Sequence, residues 1–333
     1  MQTRDKGLRW LSASLFTIAL CAAFWGVPSP VAPEFLPPLA GARAVLPAQF
    51  SGEFLPSIGE LAASASLTQL PDGRLGAAWI TGAQDGADDA GIWFSLMSNG
   101  NWQQPQPIAN RESTAGGSFA HVRSIDHPVL YSEGSWLHLW YVSTSLGGLG
   151  GRTIQHSVST DAGASWLKPT QLPISPLGAG KPALGANPMP LSDGGIMLAL
   201  FSPNAAQASN WLRLSATGQV LDKIHAPALS TPANPNTPSA QLHLMSGRLL
   251  LVGNPPGSNA RLQAWISSDH GKSWTSGRNL ESAPDGGAEF TQPALLQGRD
   301  GLIHLAYTWR RQRIKHLAFS EAWLDEDNGK GKP

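Results

Sequence analysis

A turn glycine followed by a hydrophobic strand recurs five times along the 333 residues, and no other feature limits the fold as tightly. The copies read PDGRLGAAW around Gly73, SEGSWLHLWYV around Gly134, SDGGIMLALF around Gly194, MSGRLLLVGN around Gly247 and RDGLIHLAYTW around Gly301. Successive glycines stand 61, 60, 53 and 54 residues apart, a mean unit of 57. In each unit an apolar strand runs into Asp-Gly or a relative of it, and a second strand of alternating, β-branched or aromatic residues leaves the turn. The rest of a unit has room for a third and a fourth strand. One such unit exposes apolar faces that radial repetition buries, so the pattern predicts an all-β propeller of four-stranded antiparallel blades, with five blade units legible. The competing architecture is a β-sandwich with accidental periodicity. Composition sides with short strands and tight turns: 36 Gly and 27 Pro serve the turns, and 13 Trp fill gaps between sheets.

A second repeat is sharper. Residues Ser159 to Trp166 and Ser267 to Trp274 both read S-x-D-x-G-x-x-W, the Asp-box pattern. The aspartate accepts N–H bonds across a tight turn, the glycine permits positive φ, and the tryptophan folds back between sheets. The boxes lie 108 residues apart, two repeat units. Degenerate copies fall in register from Ser95 to Trp102, where Met97 replaces the aspartate, and around Gly218.

The N-terminus does not belong to the repeat. Basic Arg4, Lys6 and Arg9 precede an apolar run from Trp10 to Val27, which reads as a signal peptide or signal anchor over residues 1–27. Cys21-Ala22-Ala23 offers a small-residue cleavage site, and a lipoprotein reading through Cys21 is weakened by the large Leu20 before it. Residues 28–48 form a Pro-rich spacer, 49–323 the propeller and 324–333 a polar tail. The expectation is therefore an exported monomer, periplasmic or anchored to the inner membrane and facing the periplasm. Cys21 is the only cysteine, so no disulfide or thiol metal site supports the fold. Equal numbers of basic and acidic residues argue against nucleic acid as a partner. The nine histidines lack zinc-site spacing, and the glycines lie in β-turns and open no phosphate-binding helix, so neither metal nor cofactor is expected.

From about Glu60 to Phe319 the chain resembles the BNR-repeat sialidases, in their bacterial sialidase-like branch. The boxes carry part of the resemblance. The segments GAQDGADDAGIW at 82–93, NPNTPSAQLHLMSGRLLLVGNPPGSNARL at 234–262 and EFTQPALLQGRDGLIHLAYTWRRQRIKH at 289–316 carry the rest. The family hydrolyses terminal sialosides without a metal. An arginine cluster grips the substrate carboxylate, an aspartate serves as acid/base, and a tyrosine assisted by glutamate is the nucleophile. The chemistry fits these residue types: a guanidinium matches a carboxylate bidentately, and a neutral phenol approaches a substrate that already carries an anion better than a carboxylate would.

Carried onto this chain, the resemblance implies Asp85, or failing that Asp89, as acid/base and Arg261 as a carboxylate-binding arginine. It adds one of Arg310 and Arg311 after Tyr307-Thr308-Trp309. Glu289 is a candidate for assisting catalysis, and Arg123 and His127 for ligand contact at the start of a blade. Each also has a bland reading: a solvated loop for the aspartates, a surface arginine, a satisfied structural group. The departures are as informative. Gln292 stands where the family carries its tyrosine, and Tyr307, the candidate substitute, lies inside a strand as core tyrosines do. The expected glutamate is absent from MLALFSPNAAQ, and roughly one blade, with its arginine, is missing before Asn234. Three functions remain: a sialidase-like hydrolase acting on sialylated or other acidic glycans, a catalytically silent glycan- or protein-binding propeller, and a glycosidase of other specificity using paired carboxylates such as Asp85 and Glu289.

Overall fold

The computed structural model describes residues 14–19, 33–36, 46–82, 89–118, 121–145, 151–174, 183–185, 187–201, 208–225, 232–233, 237–283 and 287–326. The chain divides into two units, Met1–Glu34 and Phe35–Pro333. In the first, residues 14–19 form a helix, α1, with exposed side chains. No helix among the described residues is long and apolar enough to cross a membrane. The remainder of the expected signal segment lies outside the described residues.

The second unit is a propeller of five antiparallel blades, as the glycine repeat predicts. Blade 1 runs β2 (Leu61–Gln69), β3 (Leu75–Gly82), β4 (Gly91–Ser98), β5 (Asn101–Trp102), with β6 (Gln106–Asn110) also on β4. The helix α2 (Arg111–Ser118) leads to blade 2: β7 (Val122–Glu133), β8 (Trp136–Ser145), β9 (Arg152–Ser159), β10 (Thr170–Gln171). Blade 3 is β11 (Met189–Pro190), β12 (Ile196–Phe201), β13 (Ala208–Leu214), β14 (Val220–His225). Blade 4 is β15 (Ala240–His243), β16 (Leu249–Gly253), β17 (Arg261–Ser267), β18 (Thr275–Ser282). Blade 5 takes β19 (Phe290–Gln297), β20 (Ile303–Trp309) and β21 (Arg313–Phe319) from the end of the repeat, and its fourth strand is β1 (Phe50–Phe54). Phe50 pairs with Phe319 and Phe54 with Lys315, so the first strand of the domain latches the last blade. A short helix, α3 (Glu321–Asp325), follows with Ser320 as its cap.

The core consists of seams between neighbouring blades. Ile92 and Phe94 of blade 1 pack with Leu139 and Tyr141 of blade 2, and Trp140 and Ile154 of blade 2 with Leu198 and Leu212 of blade 3. Leu250 and Leu262 of blade 4 meet Tyr307 and Leu317 of blade 5, and the ring closes where Leu67 and Trp79 meet Ala306 and Ile314. Burying these faces is the main stabilisation of a chain with no disulfide.

Two seams contain histidines instead of hydrocarbon. His138 on β8 and His156 on β9 stack at 5.2 Å with Nδ1 of the first 2.9 Å from Nε2 of the second, and Trp140 stacks on both. His304 on β20 and His316 on β21 repeat the arrangement at 3.1 Å. Register makes His156 and His316 equivalent to Phe94, since they pair with Trp140, Ala306 and Ala78 respectively. Each abuts the next blade: Phe94 lies edge-on to Trp166, His316 edge-on to Trp102, and His156 lies under Gly218.

Candidate functional site

The two ends of the ring differ in kind. At one end lie the glycine turns between first and second strands, and with them the S-x-D-x-G-x-x-W turns between third and fourth strands. There Ser159 Oγ–H donates to Asp161 Oδ1 at 2.7 Å, Gly163 N–H to Ser159 Oγ at 2.8 Å and Ser165 N–H to Asp161 Oδ1 at 2.8 Å. The Ser267–Trp274 copy repeats these bonds. The Ser165 hydroxyl and N–H, then Ser159, hold the Asp161 carboxyl at about 2. The box residues are committed to their own turns, and arginines of the glycine turns reach neighbouring elements, Arg299 the Pro71 carbonyl and Arg248 the Glu321 and Asp325 carboxylates of α3.

At the opposite end the inner strands begin, and three that adjoin around the ring share a distortion. The ladder of β19 slips between Thr291 and Ala294, that of β2 between Ala63 and Ser66, and that of β7 between Asp126 and Val129. Inside each slip a non-glycine residue is left-handed: Gln292 at φ 53°, Ser64 at 54° and His127 at 51°. Such a residue costs about 1 kcal/mol or more and persists where its surroundings over-determine it, and bulges of this kind re-aim side chains.

The surroundings are specific. Gln292 Oε1 accepts the Ser64 N–H at 3.0 Å and the Thr308 hydroxyl at 3.1 Å, so one side chain ties β19, β20 and β2 together. Thr308 is 1% exposed and Ser64 8%, while Gln292 is half-buried. At the β7 bulge, His127 N–H donates to Asp126 Oδ1 at 3.1 Å and its Nδ1 lies 3.3 Å from the same oxygen. Arg152, from the start of β9, reaches within 3.6 Å of Asp126 Oδ2. Burial raises the Asp126 pKa, but His127 and Arg152 more than offset it, so the carboxyl titrates below its ordinary range.

Arg310 and Arg311 form the turn from β20 to β21, both left-handed at φ 54° and 57°. Arg310 N–H donates to the Glu289 carbonyl at 2.8 Å, and the Arg311 carbonyl accepts the Ala62 N–H at 3.1 Å. The turn is thus fastened to the approach of β19 and to the start of β2. Both side chains are exposed, and the Arg310 guanidinium lies over Trp309, 4.7 Å from the ring centre.

The remaining candidates scatter around the same end. Glu289 is exposed immediately before β19, and Arg123 is exposed on β7. Arg261 is exposed at the start of β17, where Asn254, fully buried, donates to its carbonyl at 2.6 Å and to that of Phe290 at 2.8 Å. Asn254, seven residues before Arg261, therefore staples this loop through the Arg261 backbone carbonyl and not through the guanidinium. Asp89 is exposed in the turn before β4; Asp85 lies outside the described residues. Among the described residues no group of three or more histidine, cysteine, aspartate or glutamate side chains could hold a metal ion. Sequence reasoning missed Ser64, Asp126, Arg152 and Thr308. The signal available was the X-Pro step after two of the three bulge residues, Pro128 and Pro293.

Tyr307 cannot act as a nucleophile from where it lies. It is 0% exposed at the seam of blades 4 and 5, and its hydroxyl donates to Glu281 Oε2 at 2.6 Å, an oxygen that also pairs with Lys315 Nζ. Burial, and then the Glu281 carboxylate, push the phenol well above its ordinary pKa, opposite to what an activated phenol needs.

The sequence matches the BNR repeat-like domain over residues 73–232 and 222–305, together more than half of the chain. The chain belongs to the BNR repeat-like family. Its propeller is shared with solved glycosidases at low identity. A Hadza microbial sialidase superposes at TM-score 0.59 and 12% identity over 79% of this chain and 66% of that one. A Trypanosoma rangeli sialidase bound to the inhibitor DANA does so at 0.53 and 10% over 80% and 56%. A family 117 glycoside hydrolase from the marine bacterium Zobellia galactanivorans gives 0.51 and 14% over 85% and 93%. The BNR repeat-like chain thus spans just under two thirds of the Hadza sialidase and about half of the Trypanosoma enzyme. At these identities the likeness establishes the propeller fold. No curated protein matches the sequence.

Proposed function

We propose that this BNR repeat-like protein is an exported, sialidase-like glycoside hydrolase that acts on a terminal acidic sugar, bound where β2, β7 and β19 begin. The observation that carries the reading is the Arg310–Arg311 turn. Two exposed arginines are fixed through the backbone to the same strands that carry the Gln292 and Ser64 bulges, a placement suited to a sugar carboxylate. The fold held in common with sialidases and a family 117 glycosidase supports the carbohydrate assignment. Export rests on the basic-then-apolar segment through Val27.

The chemistry differs from a tyrosine route. With Gln292 in the bulge and Tyr307 interred, no phenol is presented, and hydrolysis proceeds by direct attack of water. That route needs a carboxylic acid on the leaving oxygen and a carboxylate to activate water on the opposite face, and it inverts the anomeric centre. Asp85 or Asp89 supplies the acid from the first-blade loop. Asp126, kept ionised by His127 and Arg152, or Glu289 supplies the base.

The full chain is to be incubated with a fluorogenic sialoside and a panel of other aryl glycosides, with the first-formed anomer read by proton NMR. Release with inversion, abolished in Asp85→Asn or Asp89→Asn, is the expected result; release with retention refutes the water route. A second reading, a silent glycan-binding propeller, is favoured specifically by Gln292. Saturable sialyllactose binding without turnover, lost in Arg310→Ala or Arg311→Ala, selects it. Neither turnover nor binding overturns both.

A further inference from the structure

We infer that Gln292 is a ligand-binding residue whose side-chain N–H2 donates to the carboxylate of the acidic sugar. This rests on the acidic-glycan reading above and names a contact within it.

The amide has only one workable orientation. Ser64 offers a backbone N–H, which can donate and cannot accept, so the atom of Gln292 facing it at 3.0 Å has to be the oxygen. The Thr308 hydroxyl then donates to the same oxygen at 3.1 Å and also accepts the Ser64 N–H at 3.2 Å, closing a three-membered network. With Oε1 used twice, both donors of Nε2 are left over. No residue among those described receives them, and Nε2 is not among the buried polar atoms left without a partner, so it meets solvent at the mouth.

The holding apparatus is more elaborate than a solvated glutamine needs. The residue is kept left-handed between Thr291 and Pro293, within a bulge, by groups 1% and 8% exposed. A donor pair held rigid in this way loses little entropy on binding and prefers an acceptor-only partner, which a carboxylate is. The adjacent Arg310–Arg311 turn supplies charge, and Gln292 supplies a neutral, directional donor beside it.

The test compares the full chain with Gln292→Glu and Gln292→Met, titrated with sialyllactose and with lactose. Glutamate keeps an oxygen for Ser64 N–H and Thr308 and replaces only the outward N–H2 by a negative oxygen; methionine, of similar length, removes the donors together with the oxygen that Ser64 N–H and Thr308 use. Sialyllactose affinity is expected to fall roughly ten- to hundredfold in Gln292→Met and further in Gln292→Glu, with lactose affinity unchanged. A third measurement needs no variant to fold: the Gln292 side-chain amide resonance of the selectively labelled wild-type protein should shift with sialyllactose and stay still with lactose. Wild-type binding of sialyllactose with unchanged affinity in both variants, or with a motionless Gln292 amide, overturns the Gln292 assignment and leaves the acidic-glycan reading intact. Absence of wild-type sialyllactose binding overturns both together.

Discussion

Acid should open the propeller at its histidine seams before it affects anything else. His138 and His156 are 0% and 7% exposed, and burial holds their pKa values at about 4 and about 3, His156 being lowered further by its partner. The groups packed on the pair are Trp136, Trp140, Tyr131 and the Gly218 turn, none of them a carboxylate that would welcome a proton. His138 Nε2 has no partner among the described residues, so it is best left as the bare lone pair, with Nδ1–H donating to His156. In the unfolded chain each imidazole titrates near 6.5. The folded pKa is the lower one, so the unfolded state binds more protons, and the stability contribution is whole above about pH 6.5 and is lost as pH falls toward 4. At pH 5 the loss is about 2 kcal/mol per histidine, or about 4 for the pair, against a total stability on the order of 5–15 kcal/mol. Denaturant unfolding followed by tryptophan fluorescence at pH 7.5 and pH 5 should register this difference. The double variant His138→Ala, His156→Phe introduces the aromatic that blade 1 uses at the equivalent Phe94. It should lose about 4 kcal/mol of the pH dependence and unfold later than wild type at pH 5. An unchanged pH slope in that variant would refute the reasoning. His304 and His316 shift in the same direction through burial, with Asp300 opposing the shift at His304 and His304 deepening it at His316.

Three further outcomes can be checked directly. Tyr307→Phe should leave any turnover intact while lowering stability by about 1–2 kcal/mol through the lost Glu281 bond, read by kinetics and thermal melting. Gly218→Val should destabilise by about 2 kcal/mol or more, because φ is 83° and a Cβ would stand 2.2 Å from His156 Cε1; a melting temperature equal to wild type would contradict that geometry. Asn254→Ala should cost about 3 kcal/mol, since it strips donors from the Arg261 and Phe290 carbonyls inside the ring, and denaturant midpoints will show it.

How much of this could be read from residues alone depended on whether local chemistry or distant packing sets the conformation. The five glycine turns announce themselves because a tight strand turn needs positive φ, which Gly73, Gly134, Gly194, Gly247 and Gly301 all adopt. The burial of Tyr307 was legible from its place in an alternating strand. The bulges were not: a left-handed Ser64, His127 or Gln292 contradicts local preference and exists only because neighbouring blades hold it. The Asp126–Arg152 contact escaped notice for a related reason, since it joins the first and third strands of one blade across 26 residues. The strand β1 was equally hidden, because FSGEF resembles no member of the repeat and acquires its role only by pairing with β21.

That last pairing places the start and the finish of the domain in the same sheet. Residues 50–54 and 313–319 must both be present before the ring can shut, so a nascent chain has nearly the whole domain behind it before its last blade can form. Until then β1 has no partner strand, and the growing chain is an open arc that a chaperone could still grip. Closure therefore acts as a length check: a product truncated at either end keeps a raw strand edge and is marked for aggregation or proteolysis, whereas the finished ring hides it.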